Sequence, residues 1–261
     1  MKVRNLKIEK IKKLRSGKYK LELENNNKFI TYDTVILNNQ LLFKKELSNE
    51  FIDKLDIETK YYDIYQKCVK YISIKMRSKK EIINYLEKQQ VNKEEQDKIV
   101  KELIMNGLIN DKEYLKAFIS DKVHLSNIGP NKIKKELLEH EIDSSLIDLE
   151  LQKYEKEIWL EKLEKIIQKK WNSNHNSVAI FKQKTIQELL NLGYEKEDII
   201  LEFDNFTFND SSQFEKTADK VFNQLSKKYN GYELKTKLKA KLYQKGYSIE
   251  KINHYIEKRI D

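Results

Sequence analysis

Four histidines (His124, His140, His175 and His254), a single cysteine and two Glu-x-Lys fragments are the residues here whose types suit metal, nucleophilic or nuclease chemistry. No histidine stands at a metal-ligand spacing from another His, Cys or acidic residue, so each reads as a surface or boundary side chain. Cys68 falls on an apolar helical face and reads as packing. One cysteine cannot form an intramolecular disulfide, which fits a reducing compartment. Glu58-Thr59-Lys60 and Glu233-Leu234-Lys235 match a fragment found in some nucleases, but 36% of the residues are charged and such matches arise by chance. No acidic partner on a strand accompanies either one. Without a phosphate-cradling glycine loop or a nucleophile elbow, the residues point to binding, with no cofactor.

Positive charge is what recurs. Lys75, Arg77, Lys79 and Lys80 surround the start of one expected helix, and Lys132, Lys134 and Lys135 occupy the equivalent place in the next unit. Lys182 and Lys184 follow in a third, and Lys235, Lys237, Lys239 and Lys241 in a fourth. For any one of these a solvated helix face is explanation enough. Their recurrence in register suggests a basic stripe, and a net charge of +9 with pI near 9.1 suggests an extended polyanion as its partner.

The elements that would position these lysines repeat as well. An apolar or weakly polar residue is followed four positions later by Leu and nine positions later by a residue that closes a turn: Ile82, Leu86, Val91; Ile133, Leu137, Ile142; Thr185, Leu189, Tyr194; Leu238, Leu242, Tyr247. Successive sets lie 51, 52 and 53 positions apart (82 to 133, 133 to 185, 185 to 238). This spacing predicts four three-helix units, at 56–108, 109–153, 154–208 and 209–261. The first helix of the first unit is expected from about Tyr61. Gly107 and Asn110 read as a helix stop and a new N-cap, and Gly129-Pro130 as a helix start. Ser78 with Glu81, and Asn92 with Glu95, read as capping boxes.

Residues 1–55 differ. Lys18 to Leu23 alternates as a half-buried strand does, Asn25-Asn26-Asn27 is a turn, and Lys28 to Tyr32 returns; Val3 to Ile11 supplies a third strand. A short helix through Val35-Ile36-Leu37, capped by Asp33 or Thr34, completes a small basic β-containing module. A single proline, six glycines, 39% hydrophobic residues and a mean hydropathy of -0.76 fit thin helical layers. The expected fold is mainly α: tandem three-helix repeats forming an elongated curved solenoid. With no signal-peptide core and no run near the roughly 18 apolar residues of a membrane span, a cytoplasmic monomer is expected.

Tyr71-Ile72-Ser73-Ile74-Lys75-Met76-Arg77-Ser78-Lys79-Lys80-Glu81-Ile82, then Gly107-Leu108-Ile109-Asn110-Asp111 with Tyr114, then Gly129-Pro130, Ile133, Glu136 and Leu137 resemble the RecX family of recombination regulators. The similarity is tightest over residues 60–145, and the overall layout is similar to the long members from low-GC Gram-positive bacteria. Lys75, Leu115 and Glu141 depart from the residues usual in the family. The resemblance implies a non-enzymatic protein that binds RecA and its filament on DNA. It also implies modulation, chiefly inhibition, of strand exchange and co-protease activity, in DNA repair and the SOS response. A stand-alone basic helical protein, binding single- or double-stranded DNA without RecA, is the alternative that the charge pattern leaves open.

Overall fold

The computed structural model describes residues 5–259. The chain divides into two compact units, Met1–Tyr114 and Leu115–Asp261, with the division inside one helix.

In the first unit, β1 (Asn5–Lys13), β2 (Tyr19–Leu23), β3 (Lys28–Thr31) and β4 (Glu46–Ser48) form an antiparallel sheet of order β3-β2-β1-β4. Ile11 lies opposite Leu21, Leu21 opposite Phe29, and Leu6 opposite Leu47, so the alternating apolar residues share one face. Against that face pack Val35 and Ile36 of α1 (Asp33–Asn38) and Leu55 of α2 (Asn49–Ile74). Val3 and Arg4, expected at the start of the first strand, lie outside the described residues. β4 was not expected, and α1 starts after Tyr32 without a side-chain cap.

α2 begins about twelve residues earlier than the sequence pattern suggested. The Ser48 hydroxyl accepts from Phe51 N–H at 3.2 Å, and Leu55, Thr59, Tyr62, Tyr65 and Cys68 form one continuous buried stripe. Residues 49–60 are therefore the opening turns of the first repeat helix. One end of α2 meets the sheet, where the Thr31 and Thr59 hydroxyls are 2.6 Å apart. The other end meets α3 (Lys79–Lys88) and α4 (Lys93–Met105): Tyr61 Oη donates to Glu102 at 2.8 Å, and Tyr71 stacks on Tyr85 at 4.5 Å. Cys68 is fully enclosed, and burial pushes its thiol up to about 11, in keeping with packing. The Ser78 and Glu81 capping box forms in full. At Asn92 only the side-chain half does, with Glu95 N–H donating to Asn92 Oδ1 and Asn92 Nδ2 to the Glu95 carboxylate.

α5 (Asp111–Leu125), its first turn capped by Asn110, leads into the second unit. There follow α6 (Pro130–Glu139), α7 (Ser144–Leu151), α8 (Lys156–Asn172), α9 (Val178–Asn191), α10 (Lys196–Asn205), α11 (Asp210–Leu225), α12 (Gly231–Gln244) and α13 (Ile249–Arg259). All twelve periodic positions named above are buried. Each second helix (α3, α6, α9, α12) ends on a left-handed residue: Gln90 (φ 58°), Glu141 (58°), Gly193 (87°) and Gly246 (82°). After each of them the next N–H returns to the carbonyl of the periodic leucine, as in Val91 to Leu86 and Tyr194 to Leu189.

Within the second unit, α6, α9 and α12 stand end to end. Gly129 N–H donates to Leu192 O at 2.7 Å and Asn131 N–H to Gly193 O at 3.1 Å; one repeat later Ser177 N–H donates to Lys245 O at 2.8 Å. N–H groups left over at the start of one helix thus pair with carbonyls left over at the end of the next. Side chains reinforce a second joint. Asp111 Oδ1 accepts from Lys79 N–H at 2.8 Å in the first unit, and Asp210 Oδ1 from Val178 N–H at 3.4 Å in the second.

Candidate nucleic-acid interface

The lysines that looked alike in sequence fall into different environments. Arg77 is only 11% exposed at its side chain: Nη1 donates to Glu81 Oε1 at 3.0 Å, and its guanidinium lies 3.7 Å from the Tyr71 ring centroid. Lys75 approaches the same carboxylate at 3.5 Å. Burial alone would raise the Glu81 carboxyl, but the Ser78 N–H, Arg77 and Lys75 outweigh it and hold it below the usual range. Arg77 is therefore part of the framework of the first repeat. Lys79 projects into solvent from the first turn of α3, while Lys80 is half-buried beside it.

In the second unit, Lys134 is neutralised by Asp148 at 2.6 Å, and Lys135 is exposed. The backbone of Lys132 abuts Gly193. Lys182 Nζ lies 5.6 and 5.3 Å from the ring centroids of Phe203 and Phe208, at the rim of an aromatic cluster that also holds Trp171 and Phe181. Lys237 lies 3.6 Å from Glu233 and over the Tyr229 ring at 4.7 Å. Lys235 and Lys239 line a groove between α12 and α13.

Lys184 of α9 and Lys241 of α12 both act on one place, the C-cap of α12, where three groups that the register pattern passed over also lie. Lys245, the half-buried C-cap of α12, is held below the usual lysine range first by burial and then by Lys220, Lys184 and Lys241. Lys220 of α11 donates to His175 Nε2 at 3.1 Å. His175 is itself lowered by partial burial and then by Lys220 and Lys245. Lys245 is fixed through its carbonyl by Ser177. Four lysines and an imidazole thus neighbour one another where α9, α11 and α12 meet, and among the described residues no carboxylate offsets the repulsion on Lys245. An anion supplied from outside would relieve it. Lys220 and Lys245 were missed because they lie outside the helical turns in which lysine recurs; the net charge of the whole chain was the only signal for them.

The other chemical candidates resolve into structure. Both Glu-x-Lys fragments lie on helices, where Glu58 accepts from Asn39 at 2.6 Å and Glu233 pairs with Lys237. His124 Nδ1 faces Ser120 O at 2.7 Å, His140 packs edge-on to Phe118, and His254 lines a surface cavity of about 400 Å³ beside Lys251 and Arg259. Among the described residues no group of His, Cys, Asp or Glu is placed to hold a metal ion, and no helix is long and apolar enough to cross a membrane.

Residues 210–256, the last three-helix unit, match the family description "RecX, third three-helix domain". A regulatory protein RecX from Streptococcus agalactiae is 33% identical over 94% of this chain and 95% of its own length. One from Lactococcus lactis is 30% identical over 95% and 96%. A crystal structure of regulatory protein RecX superposes with a TM-score of 0.66 at 24% identity, over 76% of this chain and 99% of that one, which shows the fold. With such identity sustained along nearly the whole of its relatives, and with the three-helix units in place, the chain belongs to the RecX family of regulatory proteins.

Proposed function

We propose that this protein regulates the recombinase RecA by lying along the RecA filament on DNA, restraining recombinase and co-protease activity in DNA repair. The observation that carries this reading is the kinship with RecX regulatory proteins along nearly the whole chain, and the lysines that meet where α9, α11 and α12 adjoin support it. Each three-helix unit adds a modest interaction along a polymer, and such interactions combine through effective concentration. The protein acts as a cytoplasmic monomer without a cofactor, its binding residues drawn from the second helices and from Lys220 of α11.

The test adds the protein to preformed RecA filaments on single-stranded DNA and follows ATP hydrolysis and strand exchange. Substoichiometric protein is expected to slow both. No effect across a range of ratios overturns the reading. The lysine cluster by itself asks only for a polyanion, so a RecA-independent nucleic-acid binder is the second reading. Tight, salt-sensitive DNA binding with no capture of RecA would favour it.

A further inference from the structure

We infer that the groove between α12 and α13 is a platform for single-stranded nucleic acid, with bases stacked on Tyr232 and Tyr243 and phosphates held by Lys235 and Lys239. Tyr232 is 87% exposed and Tyr243 61% exposed. Neither ring packs on another ring or lies under a cation among the described residues. Both stand on the face of α12 that flanks its buried Leu234, Leu238, Leu242 stripe. Nothing in the fold accounts for two large aromatic side chains presented this way.

Helical geometry sets their order. Tyr232, Lys235, Lys239 and Tyr243 follow one another at spacings of three, four and four positions, along a single face. The tyrosines are therefore about 16 Å apart along the axis, with both ammoniums between them. Small Thr236 and Ala240 of α12 line the groove between them, and Ile249, Asn253 and Ile256 of α13 line its other side. No carboxylate lines the groove among the described residues. Flat aromatic faces alternating with cations suit a strand whose bases are unpaired, because stacking accepts any base and the lysines follow the backbone. A duplex hides its base faces, and a purely apolar segment leaves both lysines unanswered.

The inference rests on the filament reading only for the source of the strand, and its test needs no RecA. Full-length protein is titrated into a labelled oligothymidine strand and into an abasic strand of equal length, so that phosphates are matched and bases are absent from one arm. Tyr232→Ala with Tyr243→Ala is expected to weaken thymidine binding by about tenfold or more and leave abasic binding within about twofold. Tyr232→Phe with Tyr243→Phe is expected to retain binding, and Lys235→Gln with Lys239→Gln to weaken both arms. Parental thymidine affinity in the alanine variant overturns the inference, as does equal loss on both strands. Loss of the RecA effect with parental thymidine affinity also overturns it, by assigning the face to a protein partner. Should the double variant unfold, Tyr232→Ala alone decides.

Discussion

The α-carbon of Gly193 sits against the backbone of Lys132 so closely that an added Cβ would overlap Lys132 N and Cα. Gly129 makes a second close approach to the same residue, since a Cβ on Gly129 would lie 2.5 Å from Gly193 O. Gly193 is also left-handed, with φ at 87°. Gly193→Ala therefore carries two penalties, the conformational one and a backbone clash, and should destabilise the protein by about 2 to 4 kcal/mol. Gly107→Ala, at φ 69° with nothing near its Cβ, should cost only about 1 kcal/mol. Denaturant titration of the two variants side by side checks the difference.

Arg77 and Lys79, two positions apart, should behave oppositely. Arg77→Ala strips Glu81 of its closest cation and Tyr71 of its stacked guanidinium, at an expected cost of about 2 to 3 kcal/mol. Lys79→Ala should change stability by less than about 0.5 kcal/mol. A loss of DNA binding in an Arg77 variant must therefore be read beside its unfolding curve.

Lys184→Glu with Lys241→Glu should lower affinity for single-stranded DNA and flatten its salt dependence, the log–log slope falling by roughly 0.7 for each phosphate that is no longer neutralised. Lys134→Gln, whose charge is already answered by Asp148, should change neither quantity appreciably. Anisotropy titrations at several salt concentrations separate the two variants.

Acid should weaken the third and fourth repeats through His175. Its folded pKa lies below the ordinary 6.5, so as pH falls through 6.5 the unfolded chain takes up the proton first and stability drops. The loss is complete below the folded value. His175→Gln should remove that component, and bound oligonucleotide should offset it in the parent protein; melts at a series of pH values between neutral and acidic check both.

The helical plan was legible because buried residues must recur wherever a helix meets its neighbours, and the triplets such as Ile82, Leu86 and Val91 record that. β4 was not legible, since three residues are too few for alternation to show. The start of α2 was hidden because Ser48 and the stripe from Leu55 onward follow directly on a sheet segment with no composition break. Of the candidate site, the register of lysines did indicate Lys184 and Lys241. It failed for Arg77, which shares its spacing with solvated lysines but sits on Tyr71, a pairing set by tertiary packing. It also missed Lys220 and His175, which come from an adjoining helix and a loop.

The joints linking α6, α9 and α12 run from main chain to main chain. Substitutions on the helix faces can therefore accumulate without altering the step from one unit to the next. A protein with a fixed step acts as a ruler. On the filament reading, a polymer whose own repeat is commensurate with that step would engage α6, α9 and α12 in turn, whereas one slightly out of phase would fall further from register at each of them. Periodicity itself, rather than any single side chain, would then be a means of choosing the partner.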